Sequence, residues 1–506
     1  VTESLPGERL YSFPGGLKLR HNKKVSCATA LADATLPDRL YIPLGQNEHG
    51  EMLVEAGDTV LKGQALSKPE HDFQVAIHAS TSGTINGVVQ WSSSWPPGGT
   101  RPCLELLADQ ADKAVPAQPL PNWSTAEPND IVDHMRTHGL AGLGGAMFPT
   151  AAKLRGDWPA LDTLILNGAE CEPWISCDEM LMRARPDAVI EGALIMARAI
   201  GAKRVVIGIE DQMGAVAMAL NRARRDLDSD DIIRVIKVTT IYPEGGERQL
   251  IQVLTGREVP HDGLPQDLGL VCHNIATAVA ARDAVIEGSP LIERVVTVTG
   301  PGIRNPRNLV ARIGTPFAHL VEQAGGYTDG FQRLILGGPM TGIALASDDI
   351  PVTKGSNCIL ALVDDQLHRP QPTLPCINCG ECVRVCPASL LPQMLFKAIA
   401  SDQHELADEL NLFDCIECGC CAQVCPSHIP LVDYYRHGKG ELRRKDLDQR
   451  RAALARRRFE SREQRLAREQ SEREARRERR REKLQAPDAA QSEIQAAIER
   501  AQKKKK

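Results

Sequence analysis

Apolar and polar positions alternate in short steps through the first fifth of the chain. Between residues 37 and 110, brief apolar runs are cut by turn pairs such as Gly57-Asp58, Ser82-Gly83 and Asn86-Gly87. That punctuation predicts an all-β module with tight turns. Residues 92–121 are rich in Pro, Ser and Gly and are expected to contain a linker. The pattern then changes. Residues 163–166 and 204–209 are short continuous apolar runs, as strands buried on both faces of a parallel sheet require. Residues 188–200 and 214–225 repeat apolar positions at helical spacing, and 231–241 is a β-branched run that predicts another strand. Helices alternating with buried strands predict an α/β domain over 126–290. Residues 294–299 return to β character, with a short helix expected at 316–323. From Glu441 onward helix formers dominate and an apolar stripe is almost absent. A charged extension, helical or disordered, is expected there.

Composition narrows the classes. At roughly 100–200 residues per domain, 506 residues suggest about three to five domains. A hydrophobic fraction of 42% excludes wholesale disorder. No run approaches the ~18 consecutive apolar residues of a membrane helix, so no transmembrane span is expected. Residues 1–20 are polar and show no apolar signal core. These features predict a soluble, cytoplasmic chain, with peripheral attachment to a membrane left open. Charge is uneven: residues 441–506 hold 23 Lys and Arg against 13 Asp and Glu, while the remainder holds 37 against 52. An acidic body thus carries a basic tail. The tail's density of Arg suits anionic lipid or an acidic protein partner. Phe459 is its only aromatic, which argues against nucleic acid bound by base stacking.

Cysteine is more uneven still, nine of 15 falling between Cys376 and Cys425. Without an export signal, dense regular Cys reads as metal binding rather than disulfides. Cys376, Cys379, Cys382 and Cys386 are followed by Pro387; Cys415, Cys418, Cys421 and Cys425 are followed by Pro426. This is the ligand spacing that general bioinorganic rules give for bacterial two-cluster ferredoxins. Three Cys two residues apart wrap one cubane, and the fourth, expected to start a helix pointing away, serves the other cluster. The expected ligand sets are therefore Cys376, Cys379, Cys382 and Cys425 for one [4Fe–4S] cluster, and Cys415, Cys418, Cys421 and Cys386 for the second. Cys420 lies outside the pattern and is expected to be a bystander.

Four further patches lie in the α/β region. The first is glycine-rich: Gly142-Leu143-Gly144-Gly145-Ala146-Met147-Phe148-Pro149, followed by Lys153. Bare backbone there can approach a phosphate or a ring. Asn167, Glu170 and Glu172 follow the strand expected at 163–166, where open α/β sheets bind ligands. Tyr242, Gly245 and Glu247 form the third patch, and Asn274 and Thr277 belong to the fourth.

In this order the four patches resemble the NADH- and FMN-binding subunit of respiratory complex I and its relatives. That family carries a GxGGAGFPTxxK loop, an NxxExEP segment, a YxxGxE segment and a VNNVET segment. The order of the whole chain resembles more closely the C-subunit family of Rnf-type (also Rsx-type) electron transport complexes. The N-terminal phrases at 52–66 and 77–89 are similar to a lipoyl or biotinyl carrier sandwich, although the hairpin tip from Lys68 to Phe73 lacks the usual context of a modified lysine. The resemblance implies a multidomain chain: an N-terminal lipoyl-like β-sandwich and linker (1–125), a Rossmann-like flavin and NADH domain (126–290), a β-grasp, SLBB-like module (291–365), a ferredoxin-like domain with two clusters (366–437) and a charged tail (438–506). It also implies that Gly142, Gly144, Gly145 and Lys153 cradle the FMN phosphate region. Phe148 would stand beside the nicotinamide site. Asn167 and Glu170 would contact the flavin and Glu172 the dinucleotide. Tyr242, Gly245, Glu247, Asn274 and Thr277 would complete the site. The sequence departs from the complex I pattern at Leu143, Met147, Ala169, Gly246 and His273, where that family has Arg, Gly, Asp, Glu and Asn.

A flavin is the expected go-between for a nicotinamide, which exchanges hydride, and clusters, which exchange single electrons. Hydride transfer requires no general acid or base, so Glu172 and Glu247 are expected to bind rather than catalyse. The resemblance implies a peripheral subunit on the cytoplasmic face of a bacterial inner membrane, partnered by membrane and iron–sulfur subunits, coupled through them to ion translocation and to a ferredoxin-type redox partner. Two alternatives remain open at this stage: a flavin and iron–sulfur cobalamin reductase of similar domain order, and an electron-wire subunit without nucleotide binding.

Overall fold

The computed structural model describes residues 9–45, 50–156, 158, 160–364, 371–485 and 487–504. The expected domain boundary at 365–366, the first eight residues and the last two lysines lie outside them.

A four-stranded antiparallel sheet forms the N-terminal module, in the order Arg39–Pro43, Thr100–Ala108, Gly83–Ser92, Thr59–Val60. Leu40, Val60, Leu66, Ile85 and Leu106 fill its core. One expectation changes here. Asn86-Gly87 is not a turn between strands; it sits within Gly83–Ser92, where the register slips between Ile85 and Gly87. A bulge accommodates such an extra residue. The strand Thr100–Ala108 lies within the all-β span expected over 37–110 and overlaps the first part of the Pro- and Gly-rich stretch. Leu104 and Leu106 enter the core, and Cys103 and Glu105, beside and between them, are buried as well. Before the sandwich begins, residues 10–23 run across the other units. Tyr11 donates to Val253 O (2.9 Å), Gly16 to Val385 O (3.0 Å), and Leu17 exchanges two backbone bonds with Tyr242 (2.7 and 2.9 Å).

The α/β unit has four parallel strands in the order Ile233–Val238, Arg204–Glu210, Thr163–Gly168, Leu270–Asn274. Helices Pro186–Ile200, Gly214–Asp226 and Ile275–Val285 bury their apolar sides in one core; Glu247–Thr255 closes the other face over Ile165 and Val206. Helices Pro186–Ile200 and Ile275–Val285 approach so closely that a Cβ on Gly192 would lie 2.0 Å from Ala278 O. A parallel sheet buried on both faces explains why these strands read as continuous apolar runs.

A mixed six-stranded sheet follows, with Glu293–Thr299 between Arg307–Arg312 and Cys358–Val363, and helix Phe317–Gln323 packed against it. Cysteine-rich loops then pack around Leu395, Ile399, Leu412 and Tyr435. Cys386 and Cys425 do not start helices. Each follows a short helix, Glu381–Arg384 or Cys420–Gln423. The proline after each disfavours the α region at the cysteine. Helix Leu431–Gln485 begins inside this unit, with Leu431 and Tyr435 buried, and runs past 437–438 without a break. No helix among the described residues is long and apolar enough to cross a membrane.

Candidate cofactor sites

Two small cavities lie in the cysteine-rich unit. One is lined by Cys376, Cys379, Cys382 and Cys425, the other by Cys386, Cys415, Cys418 and Cys421. Each gathers three thiols from one run and the fourth from the other. Four convergent thiols in a small cavity, with apolar side chains such as Phe396, Ile429 and Leu431 or Leu390, Leu395 and Val432 among the other walls, fit an iron–sulfur cubane. The two cavities differ in surroundings. Cys379 is exposed, beside Ile377 at 67% exposure. Cys418 is buried, and its carbonyl accepts a 2.6 Å hydrogen bond from the Tyr242 hydroxyl. Tyr242, Cys171, Cys418 and Cys420 form one buried cluster. Cys420 is therefore part of the contact between the cysteine-rich unit and the α/β unit.

The four sequence patches converge at the carboxyl ends of the parallel strands, and each is bonded to another. Leu143 N donates to Thr277 Oγ1 (3.0 Å), joining the glycine loop to the fourth patch. A Cβ on Gly144 would lie 3.3 Å from Asn274 Cβ. Lys153 Nζ pairs with Glu247 Oε1 at 2.6 Å, joining the first patch to the third. Asn167 Nδ2 donates to Gly245 O (2.8 Å), and Gly245 N donates to Cys171 Sγ (3.2 Å). Gly245 has no room for a side chain, since a Cβ there would lie 2.2 Å from Ala169 O.

The loop itself is open. Residues 144–148 are exposed, and among the described residues the amides of Gly144, Gly145 and Ala146 make no hydrogen bond. Nε2 of buried His273, next to Asn274, has no hydrogen-bond partner among the described residues. Burial, with the Lys153 charge adding, holds that imidazole neutral. Free amides and a cation at Lys153 fit an anionic ligand such as a flavin phosphate. Met147 has φ +53°, a left-handed conformation that glycine adopts without strain. The departure from glycine at this position is thus accommodated in glycine's own geometry.

Three other expected residues bond or pack beyond this four-patch network. Glu170 is buried, and its carboxylate accepts from Asp178 N (3.1 Å), Glu179 N (3.4 Å) and Cys177 Sγ (3.2 Å). It caps the helix Cys177–Ala184. Burial pushes its carboxyl up to about 7, although Lys23 opposes this. Glu172 accepts from Met340 N (2.6 Å), Thr341 N (3.1 Å) and Thr341 Oγ1 (3.3 Å), tying the α/β unit to the six-stranded unit. Phe148 is 46% exposed and meets Phe73 of the N-terminal module edge-to-face, with ring centroids 6.2 Å apart. Both rings line a cavity of about 330 Å³ together with Ile77, Met147 and Lys354.

Several contributors had no sequence signal. Lys23 is buried between Glu170 and Glu210; its ammonium donates to the Glu170 carbonyl and lies 3.2 Å from Glu210 Oε2. Burial opposes its charge, but the two carboxylates raise it on balance. Asp178 accepts from Asn274 Nδ2 at 2.6 Å and so orients the fourth patch. Lys354 reaches the Ala76 and Gly139 carbonyls (3.2 and 2.6 Å), and burial lowers its ammonium to about 7.

Glu244, in the third patch, yields a pH prediction. Its Oε2 lacks a partner among the described residues, and burial, with Glu210 and Asp211 adding, pushes the carboxyl up from 4.5 to about 8. Between those values the unfolded chain has lost a proton that the folded chain keeps, so stability falls as pH rises through that window. The Glu244→Gln variant lacks this loss. Between pH 5 and pH 9 it should gain about 2 kcal/mol on the parent, after allowing for solvent screening. Urea unfolding at the two pH values measures the difference, and parallel pH profiles would refute it.

Comparison with known proteins adds independent findings. Four family descriptions match the chain in order: "RnfC Barrel sandwich hybrid domain" at residues 11–110, "Nuo51 FMN-binding domain" at 135–283, "SLBB domain" at 295–344 and "4Fe-4S dicluster domain" at 375–429. The chain is similar to proteins named as the C subunit of an ion-translocating oxidoreductase complex. The one from Pseudomonas aeruginosa is 43% identical over 98% of this chain and 66% of its own length. The one from Edwardsiella ictaluri is 43% identical over 98% and 62%, and the one from Yersinia pestis bv. Antiqua 43% over 97% and 79%. The chain thus spans slightly less than two thirds of the length of the first two. A solved chain of an air-oxidized NAD+-reducing [NiFe]-hydrogenase aligns over 62% of this chain and 64% of its own, at 19% identity and a TM-score of 0.45. That likeness is too loose to carry an argument.

Proposed function

The chain belongs to the family of C subunits of ion-translocating oxidoreductase complexes, with barrel-sandwich, FMN-binding, SLBB and 4Fe-4S dicluster domains, and from that premise we propose that it transfers electrons between NAD(H) and two [4Fe–4S] clusters by way of FMN. The observation that carries this reading is the buried contact of Tyr242 and Cys171 with Cys418 and Cys420, which locks the flavin-type unit onto one cysteine cavity. A flavin held in this unit would need a cluster close by, and this contact sets the Cys418 cavity against the unit.

When bound, FMN supplies the exchange between two-electron hydride chemistry and single-electron steps. The chain's own residues do the rest. Amides of Gly144 and Gly145 and the ammonium of Lys153 would hold the phosphate region, with Gly142 closing the loop through its bond to Phe148 O at 2.8 Å. Asn274 and Thr277 fix the loop from the fourth patch. The Asn167–Gly245 bond ties the end of strand Thr163–Gly168 to the turn before helix Glu247–Thr255, and Glu247 holds Lys153 in place until an anion competes for it. Glu170 and Glu172 act as framework: one caps a helix and the other anchors the six-stranded unit. Phe148 offers an exposed ring for a nicotinamide or adenine. Cys386, Cys415, Cys418 and Cys421 would ligate the cluster nearer the flavin, and Cys376, Cys379, Cys382 and Cys425 the outward one.

The domain bounds that accompany this reading are 1–125, 126–290, 291–365, 366–437 and 438–506. Residues 10–23 nevertheless strap the later units, and the final helix crosses the last bound. The protein would sit peripherally on the cytoplasmic face of the membrane. Its partners would be membrane and iron–sulfur subunits, through which electron flow couples to ion movement and to a ferredoxin-type centre.

An anaerobic titration tests the activity. Chain purified with its clusters should contain about eight irons and one flavin, and stepwise NADH should bleach flavin and cluster absorbance together. Full iron with flavin but no response to NADH would sink the NADH assignment and leave an electron wire served by another donor.

A further inference from the structure

Beyond its first turns, helix Leu431–Gln485 takes part in none of this chemistry. From Arg443 to Lys483 every side chain is exposed. At 1.5 Å per residue this stretch is about 60 Å long. It has no packed apolar face, and its own ion pairs support it: Arg450 with Asp446, Arg456 with Glu460, Arg465 with Glu469 and Arg468 with Glu472.

The charges are not scattered around this rod. An α-helix turns about 100° per residue. Between Glu441 and Gln485 there are 18 Lys and Arg and 10 Asp and Glu. A sector of about 160° centred near Arg458 and Arg465 holds fourteen of the 18 cations but only two of the 10 anions, Glu469 and Glu472. The opposite side carries the other acids and only Lys445, Arg456, Arg477 and Arg481. Leu447 and Leu454, 53% and 50% exposed, fall inside the cationic sector, whereas the one aromatic, Phe459, falls outside it.

We infer that this cationic stripe lies lengthwise on an anionic phospholipid surface, with Leu447 and Leu454 directed into the headgroup layer. A straight, one-sided stripe about 60 Å long presents its charges in one plane, and a membrane is planar. The acidic body is repelled by such a surface, so the stripe is the part suited to meet it. Arg and Lys stems let the cations reach phosphates while the two leucines settle between them. The contact is independent of cofactors and goes beyond the electron-transfer reading.

The test uses the full chain with intact clusters, sedimented with vesicles of phosphatidylglycerol and phosphatidylethanolamine or of phosphatidylcholine alone, at low and high salt. Binding should require the anionic lipid and weaken at least about tenfold in high salt. Two variants of equal charge change test sidedness. R458Q/R462Q/R465Q/R476Q lies within the stripe; K445Q/R456Q/R477Q/R481Q lies opposite, and each removes one of the ion pairs above. The first should lose binding at least about tenfold and the second less than about threefold, with iron content and helical circular dichroism unchanged in both. Equal losses would overturn the stripe in favour of net charge. Absence of vesicle binding, with binding to polyglutamate or duplex DNA instead, would overturn the lipid assignment.

Discussion

A Cys386→Ser chain is expected to lose the cluster of the other cysteine run and to keep about four of its eight irons. Cys386 is separated from Cys415 by the helices Pro392–Ala400 and His404–Glu409 and a short 3-10 turn at Leu412–Asp414, yet the two line one cavity with Cys418 and Cys421. Cys386 is also buried and accepts from Leu390 N at 3.4 Å, which aims its sulfur inward. Iron count alone does not say which cluster was lost, so a double variant decides. With Cys379→Ser added, the crossed arrangement leaves close to no cluster iron, because each substitution strikes a different cavity. If each run ligated its own cluster, both substitutions would strike one, and about four irons would remain. The effect extends to packing. Leu395, Leu412 and Tyr435 surround these cysteines in one small core, and a unit of that size depends on its metal for stability. Loss of the cluster held by Cys418 should therefore also loosen the Tyr242 contact, read as faster proteolysis between the two units.

The second large effect concerns flavin. Lys153→Ala should lower flavin retention by about 10- to 100-fold, the value of one charge-assisted hydrogen bond to a phosphate. Iron should stay unchanged. Lys153 lies on the helix Thr150–Leu154 that follows the glycine loop, and its partner is Glu247. Removing the ammonium does more than delete a contact. It leaves the Glu247 carboxylate unopposed where an anion would bind. Gly144→Val should act in the same direction by steric means, because even a Cβ there would press on Asn274 at 3.3 Å. Flavin released from gel-filtered protein, quantified by fluorescence against protein and iron, measures both. Retention equal to the parent in both variants would remove the loop from the flavin site.

The sequence signals that proved legible share a local cause. The parallel strands Thr163–Gly168 and Arg204–Glu210 read as apolar runs because both their faces are buried. Helices Pro186–Ile200 and Gly214–Asp226 declare themselves by period. The misread segments failed for an equally local reason. Gly87 marks a bulge where a turn was expected. At the ferredoxin unit, the proline after each fourth cysteine keeps that cysteine out of a helix.

Sequence alone therefore determined the order of the units, the two cysteine runs and the four patches, because each is written in residues a few positions apart. Only the tertiary structure decided what those patches do for one another. It turned Glu170 toward a helix terminus and Glu172 toward Met340 and Thr341, and it brought Lys23 to Glu170 across 147 positions. It set Tyr242 on Cys418 across 176 positions, and so chose which cysteine cavity faces the flavin-type unit. Such pairings depend on how separately folded units dock. No local spacing encodes them, since the partners share neither a helix face nor a strand register.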